Sequence, residues 1–119
     1  MGARVLVIED SVLITSALQI LLESHGYDVR VSRTVADATR AISDFPPHVV
    51  LVDLTLPDGD GLAVLKAFPE TQPRPKILVM TGQDDAATRA RCADAGCDGV
   101  LIKPVPINDL IEVMASVIA

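Results

Sequence analysis

The stretch His48-Val49-Val50-Leu51-Val52-Asp53-Leu54-Thr55-Leu56-Pro57-Asp58-Gly59-Asp60-Gly61 decides how the chain reads. An apolar run closes on a single carboxylate and is followed at once by a Pro/Gly/Asp turn. A continuous apolar run bounded by turn residues reads as a strand buried on both faces. Asp53 then stands at the carboxyl end of that strand, where open parallel sheets hold their ligands.

Working outward, Arg4-Val5-Leu6-Val7-Ile8 is a second buried strand, ending on the adjacent acids Glu9 and Asp10. Ser11 opens a helix to about His25, with Ile14, Ala17, Leu18, Leu21 and Leu22 as one apolar stripe, and Gly26 stops it. Asp28 to Ser32 alternates apolar and polar, the mark of a strand with one wet face and so of a sheet edge. Thr34 caps a helix to about Asp44, with Val35, Ala38, Ala41 and Ile42 inward. Beyond the central turn, Leu62 to Phe68 reads as a short helix, and Pro69, Pro73 and Pro75 as a loop.

Lys76 to Thr81 is the fourth strand, and Gly82-Gln83 turns into a helix from about Asp84 to Ala95, stopped by Gly96. Gly99 to Ile102 is the fifth strand, ending on Lys103-Pro104. Pro106 to Ile118 is the last helix, with Ile107, Leu110, Ile111, Met114, Val117 and Ile118 inward. Strand and helix alternate five times. That pattern predicts an α/β fold in three layers: a doubly wound, five-stranded parallel sheet with five helices on its two faces. The polar second strand favours the order 2-1-3-4-5.

The chain has 119 residues, the size of one domain. It is 50% hydrophobic but only 3% aromatic, so Val, Leu, Ile and Ala build its core, as suits a parallel sheet. A net charge of -6 argues against a nucleic-acid or anionic-membrane surface and suits cations or basic partner patches. The apolar runs are too short to span a bilayer, and Met1-Gly2-Ala3-Arg4 lacks a signal-peptide pattern. Gly2 does not make a myristoylation site, because Leu6 stands where Ser or Thr is needed. Cys92 and Cys97 make no disulfide framework, and no His/Cys cluster has zinc spacing. The cytoplasm is the default compartment.

The strand ends share one property. The first carries Glu9 and Asp10, the third Asp53, the fourth Thr81 and the fifth Lys103. In a parallel sheet these ends lie along one edge, with neighbouring strands about 4.8 Å apart. Three carboxylates gathered there repel unless a cation or a proton joins them. Magnesium, which takes oxygen ligands, fits. A metal and Lys103 together balance the three acids, leaving a site able to accept more negative charge. A carboxylate nucleophile in such a site can form an aspartyl phosphate, with positioning and charge neutralisation doing most of the work. Asp53 is the central carboxylate and so the nucleophile.

Glu9-Asp10, Asp53 with Leu56-Pro57 and Gly61, Thr81-Gly82, Ala95-Gly96 with Asp98-Gly99, and Lys103-Pro104 follow one another along the whole chain. In that order and spacing the chain resembles a receiver domain of bacterial two-component response regulators, here spanning residues 1–119 with no effector domain. The resemblance implies a flavodoxin-like fold and phosphoryl transfer to Asp53 from a phosphohistidine on a sensor histidine kinase or a histidine phosphotransfer domain. It implies magnesium, or manganese in its place, held by Asp10, Asp53 and the Thr55 carbonyl, with Glu9 acting through water or charge. It implies that Thr81 and Lys103 meet phosphoryl oxygens and that Lys103-Pro104 is a cis peptide. It also implies a signalling switch rather than a turnover enzyme. Its output partner reads the face of the fourth helix, fifth strand and fifth helix, where receivers also dimerise. Val100 stands where many receivers carry Tyr or Phe, and a valine has a stiff χ1 and little area to swing. Val105 and the lack of arginines on the last helix differ from receivers joined to winged-helix domains.

Taken singly, Glu9-Asp10 has a lesser reading as a solvated helix start, Thr81 is most often an ordinary strand-end hydroxyl and Lys103 most often a surface charge; in the full constellation those bland readings fall away. Thr55 and Gln83, two residues beyond Asp53 and Thr81, are tuning positions in receivers or simply exposed polar groups. His25 and His48 sit at loop edges without catalytic partners. Arg89 and Arg91 read as a solvated face. Asp58 and Asp60 lack the spacing of a calcium loop. Two other classes compete. A small phosphatase with an aspartate nucleophile wants a second aspartate where Thr55 stands. A constitutive interaction module would tolerate loss of Asp53, an acid or Lys103, none of which is lost.

Overall fold

In the computed structural model, residues 2–68 and 73–118 are described. In chain order the elements are β1 (Arg4–Ile8), α1 (Val12–Ser24), β2 (Asp28–Ser32), α2 (Val35–Asp44) and β3 (Val49–Asp53). A small hairpin follows, of β4 (Thr55–Leu56) and β5 (Gly59–Asp60), and then a 3-10 helix over Gly61–Ala67. The second half adds β6 (Lys76–Thr81), α3 (Ala86–Asp94), β7 (Gly99–Ile102) and α4 (Ile107–Ile118).

The main sheet has the order β2-β1-β3-β6-β7, all neighbours parallel. This is the expected 2-1-3-4-5 order once the hairpin is set aside. All five residues of β3 are buried, as its unbroken apolar run requires. Successive strand residues face opposite sides, so each central strand feeds two cores. Leu6, Ile8, Val50, Val52, Ile77 and Val79 pack on one side with Ala38, Ala41 and Ile42 of α2 and with Cys92 of α3. Val5, Val7, Val49, Leu51, Leu78 and Met80 pack on the other with Leu22 of α1 and with Leu110 and Met114 of α4. Side-chain oxygens cap the helices: Ser11 accepts from Ile14 N, Thr34 from Asp37 N and Asp85 from Thr88 N.

Several expectations are corrected. The third, short helix spans Gly61–Ala67, one residue earlier than expected, and is a 3-10 segment capped by Asp60 through Leu62 N at 2.9 Å. A segment this short gains little from the i to i+4 ladder. Pro69 of the proline loop lies outside the described residues. The fourth helix begins at Ala86, because Asp85 serves as its cap and Asp84 instead pairs with Arg89. Ile14 and Ala17 of the α1 stripe are exposed, and Ile107 and Ile118 of the α4 stripe are exposed as well. These residues lie in end turns or on a flank that no neighbouring helix covers. Thr15 takes a buried place on α1 instead, accepting from Arg33 Nη2 at 3.1 Å.

Gly61 ties the fold to the strand end at Asp53. Its N–H donates to Leu54 O at 2.9 Å. A Cβ placed on it would collide with the Asp53 carbonyl oxygen and lie 2.8 Å from Val52 Cγ2. Gly82, at the end of β6, has nothing within 4 Å of the same position. Gly61→Ala should therefore destabilise the protein by about 3 kcal/mol, the upper range for overpacking. Gly82→Ala should stay within about 0.5 kcal/mol of the parent. Urea unfolding of the two variants measures the difference.

Candidate functional site

Ile8 and Val52 are register partners on adjacent strands, so the next residues, Glu9 and Asp53, leave the sheet side by side. Glu9 N donates to Ser32 O at 3.0 Å, extending the β1–β2 ladder by one rung. Glu9 is 1% exposed and Asp53 8%, while Asp10 faces solvent. A carboxylate oxygen from each of the three lies within 4.8 Å of the others. On the far side, Lys103 N donates to Thr81 O at 2.7 Å and so carries the β6–β7 ladder past Ile102. From there the lysine reaches over the end of β6. Its Nζ donates to Glu9 Oε1 at 2.7 Å and to Asp53 Oδ2 at 3.0 Å. Lys103-Pro104 is cis.

Burial pushes the Glu9 carboxyl above the ordinary 4.5, the hydrogen bond from Lys103 pulls the other way, and the nearby Asp10 and Asp53 push it up further. For Lys103, burial alone would lower the ammonium below 10.5, but the bonds to Glu9 and Asp53 and their charge offset this and leave it raised. Glu9 Oε2 also accepts from Asp10 N at 2.8 Å and Ser11 N at 3.4 Å, so both of its oxygens are engaged. Three carboxylates against one ammonium leave two negative charges to be balanced. An all-oxygen donor set with that surplus, open to solvent through Asp10, fits a hard divalent cation.

Thr55 N donates to Asp53 Oδ1 at 3.2 Å, closing the other carboxylate oxygen. Thr81 is 4% exposed and accepts from Gln83 N at 3.1 Å. The sequence-predicted residues thus separate into two groups. Glu9, Asp10, Asp53 and Lys103 form one cluster, Thr55 joins it through its backbone, and Thr81 stands at the neighbouring strand end with its hydroxyl turned to Gln83.

Three features escaped the sequence reading. Glu9 is the nearer of the two carboxylates bonded to Lys103, although Glu9 and Lys103 are 94 residues apart. Asp58, set aside as a failed calcium ligand, accepts from Val35 N at 2.7 Å and Ala36 N at 3.1 Å at the start of α2. The run Pro57-Asp58-Gly59 marked a turn, but nothing in it named a partner. Asp60 likewise pairs with Arg91 of α3, which read as part of a solvated face.

The model of the response regulator receiver domain matches residues 5–115. The chain belongs to the receiver domain family. Transcriptional regulatory protein KdpE of Mycobacterium tuberculosis is 36% identical over 107 residues, covering 90% of this chain and 47% of that protein. The virulence transcriptional regulatory protein PhoP of Salmonella typhimurium is 30% identical over 112 residues, covering 94% of this chain and 49% of that one. The chain therefore spans about half the length of the curated relatives it matches. Among solved structures, the CheY-like response regulator receiver domain protein of Methanospirillum hungatei superposes with a TM-score of 0.89 at 28% identity, covering 98% of this chain and 93% of that one. The fold is flavodoxin-like, and the chain is a receiver domain of two-component response regulators. Among the described residues no helix is long and apolar enough to cross a membrane.

The raised Glu9 carboxyl sets a pH dependence. A carboxyl with a folded pKa above its unfolded value contributes stability that is present at low pH and lost as pH rises through the folded pKa. The metal-free protein should therefore gain stability on acidification from pH 7 to pH 5. Asp58 and Asp85, held below 3.8 by backbone N–H groups, lose their contributions only below that window. Saturating magnesium should flatten the slope. Thermal denaturation across this range, with and without the metal, checks both.

Proposed function

We propose that Asp53 is the phosphoacceptor of a magnesium-dependent phosphorylation switch. One observation carries the reading: a nearly buried strand-end carboxylate lies within reach of one ammonium and two further carboxylates. An Asp53 carboxylate oxygen attacks phosphorus in line, an O–P bond forms and the P–N bond of a phosphohistidine breaks; the bonding pair stays on that nitrogen, and the imidazole leaves neutral, keeping the proton already carried by its other ring nitrogen. Lys103 moves from the carboxylate toward a phosphoryl oxygen, remaining on Glu9. Thr81 can donate its hydroxyl proton to another phosphoryl oxygen, since toward Gln83 it only accepts. Asp10, Asp53 and the Thr55 carbonyl would hold magnesium, or manganese in its place, with Glu9 contributing charge. When bound, the ion supplies positive charge that neutralises the phosphoryl oxygens. Phosphorylation replaces one negative charge by about two.

A sensor histidine kinase or histidine phosphotransfer domain is the donor on this reading. Its body must cover the rim of the site while the phosphorus reaches Asp53. That rim is apolar on one side: a groove lined by Ile14, Ala17, Leu18, Pro104 and Ile107 opens beside Lys103, and Val12 and Leu13 stand exposed at the start of α1. The output, an attached effector domain or a separate protein, reads the face of α3, β7 and α4. A phosphatase reading is weaker, because Thr55 offers no carboxylate two residues after the nucleophile.

Incubation with magnesium and acetyl phosphate should add one acid-labile phosphate. Asp53→Asn should take none, chelation of magnesium should abolish labelling, and Lys103→Ala should slow it by about 10²-fold. Equal labelling of Asp53→Asn would sink the proposal, and steady release of phosphate from simple monoesters would favour the phosphatase. Leu13→Glu should leave labelling by acetyl phosphate unchanged and slow transfer from any histidine phosphotransfer protein that labels the parent. Equal slowing with both donors would remove the apolar rim from the donor-binding surface.

A further inference from the structure

The hairpin after Asp53 is held at both ends. At its base, Gly61 N donates to Leu54 O, and the Asp53 carbonyl leaves no room for a side chain on Gly61. Its two strands pair Thr55 with Asp60 and Leu56 with Gly59, leaving Pro57 and Asp58 as the tip. Gly59, at φ +151, lets the chain reverse there. At the tip, the two carboxylate oxygens of Asp58 take the N–H groups of Val35 and Ala36 separately, at 2.7 and 3.1 Å. These are the first two amides of α2.

A bland explanation is that Asp58 merely caps α2. The helix already has a cap of its own, however. Thr34 Oγ1 accepts from Asp37 N at 3.0 Å and Thr34 O from Ala38 N at 3.0 Å. The Ala38 bond is the first rung of the helix, while the amides before it lack partners within the helix; the Thr34 side chain serves Asp37 N. Asp58 serves Val35 N and Ala36 N from a separate segment of chain. A charge-assisted, two-point contact of this kind fixes direction as well as distance. With base and tip both fixed, the hairpin cannot pivot about Asp53, and Thr55 is carried on its first strand.

We propose that Asp58 is a positioning residue for the phosphoryl site: by gripping the start of α2 it sets where the Thr55 backbone stands beside Asp53. The inference rests on the proposed metal role of the Thr55 carbonyl. Outer-shell residues that orient metal ligands typically cost 10- to 100-fold in affinity when lost.

Magnesium affinity is measured by calorimetry on four proteins: the parent, Asp58→Ala, Asp58→Asn and Thr34→Ala. Asp58→Ala should bind magnesium about tenfold more weakly, and Asp58→Asn, which keeps one acceptor oxygen, should recover part of the loss. Acetyl phosphate labelling of Asp58→Ala should be slow at low magnesium and return toward the parent rate at saturation. Thr34→Ala weakens α2 without touching the hairpin, and should keep the parent's affinity. Parent-like affinity in Asp58→Ala overturns the proposal, and so does an equal loss in Thr34→Ala. If Asp58→Ala does not fold, the comparison of Asp58→Asn with Thr34→Ala decides in the same way. Failure of the parent itself to bind magnesium would overturn the metal reading and this inference together, an outcome distinct from loss of the positioning role alone.

Discussion

The structure depends on keeping carboxylates charged where water hardly reaches. Glu9 is 1% exposed and Asp53 8%. An isolated buried carboxylate is costly enough that it would rather take up a proton. Lys103 makes the arrangement tenable by bonding to both acids at once, at 2.7 and 3.0 Å. Backbone N–H groups of Asp10, Ser11 and Thr55 occupy the remaining carboxylate oxygens. Even so, the compensation is incomplete: burial and the neighbouring acids leave Glu9 raised. The site is thus built short of positive charge, which is what a cation or a phosphoryl-transfer transition state can exploit.

Everything else in the fold serves to bring those groups together. A parallel sheet puts the carboxyl ends of all its strands on one edge, and the order β2-β1-β3-β6-β7 sets the two acid-bearing strands next to each other. Lys103 comes from the edge strand β7, with β6 between it and β3, so only a long side chain can close the gap. Arginine would carry the charge as well, but its planar fork suits bidentate pairing with one carboxylate rather than a point contact with two. Gly61 sets the floor under Asp53, since any side chain there would push on the Asp53 backbone.

The strands were legible because burial on both faces leaves an unbroken apolar run, and β3 shows it at all five positions. The cluster of Glu9, Asp10, Asp53 and Lys103 was legible for a related reason: charged residues at the ends of such runs have few structural roles. Helix faces were less legible. An apolar stripe says which residues avoid water, not which ones a neighbour covers, so Ile14, Ala17 and Ile107 looked like core and stand at an open groove. Partners across long separations were not legible. Nothing near Asp58 points to Val35, and nothing near Glu9 selects Lys103 over a metal as its main contact. Those choices are made by topology, which sequence patterns report only in outline.

Lys103 also constrains how a change at Asp53 can spread. Its ammonium is shared between Glu9 after β1 and Asp53 at the end of β3, so on the proposed function a phosphoryl group on Asp53 would compete with the existing Asp53 bond while Glu9 kept hold of the lysine. The lysine follows directly from β7, whose residues are all half-buried. Three residues earlier, Val100 packs against the core that contains α2 and Cys92 of α3. A valine there has no ring to rotate and one strongly preferred χ1. On the proposed function, a displacement at Lys103 would then have to travel along β7 by its backbone and its ladder to β6, or stay small, since Val100 offers no swinging ring. An edge strand suits that role, because one of its two sides has no ladder to break.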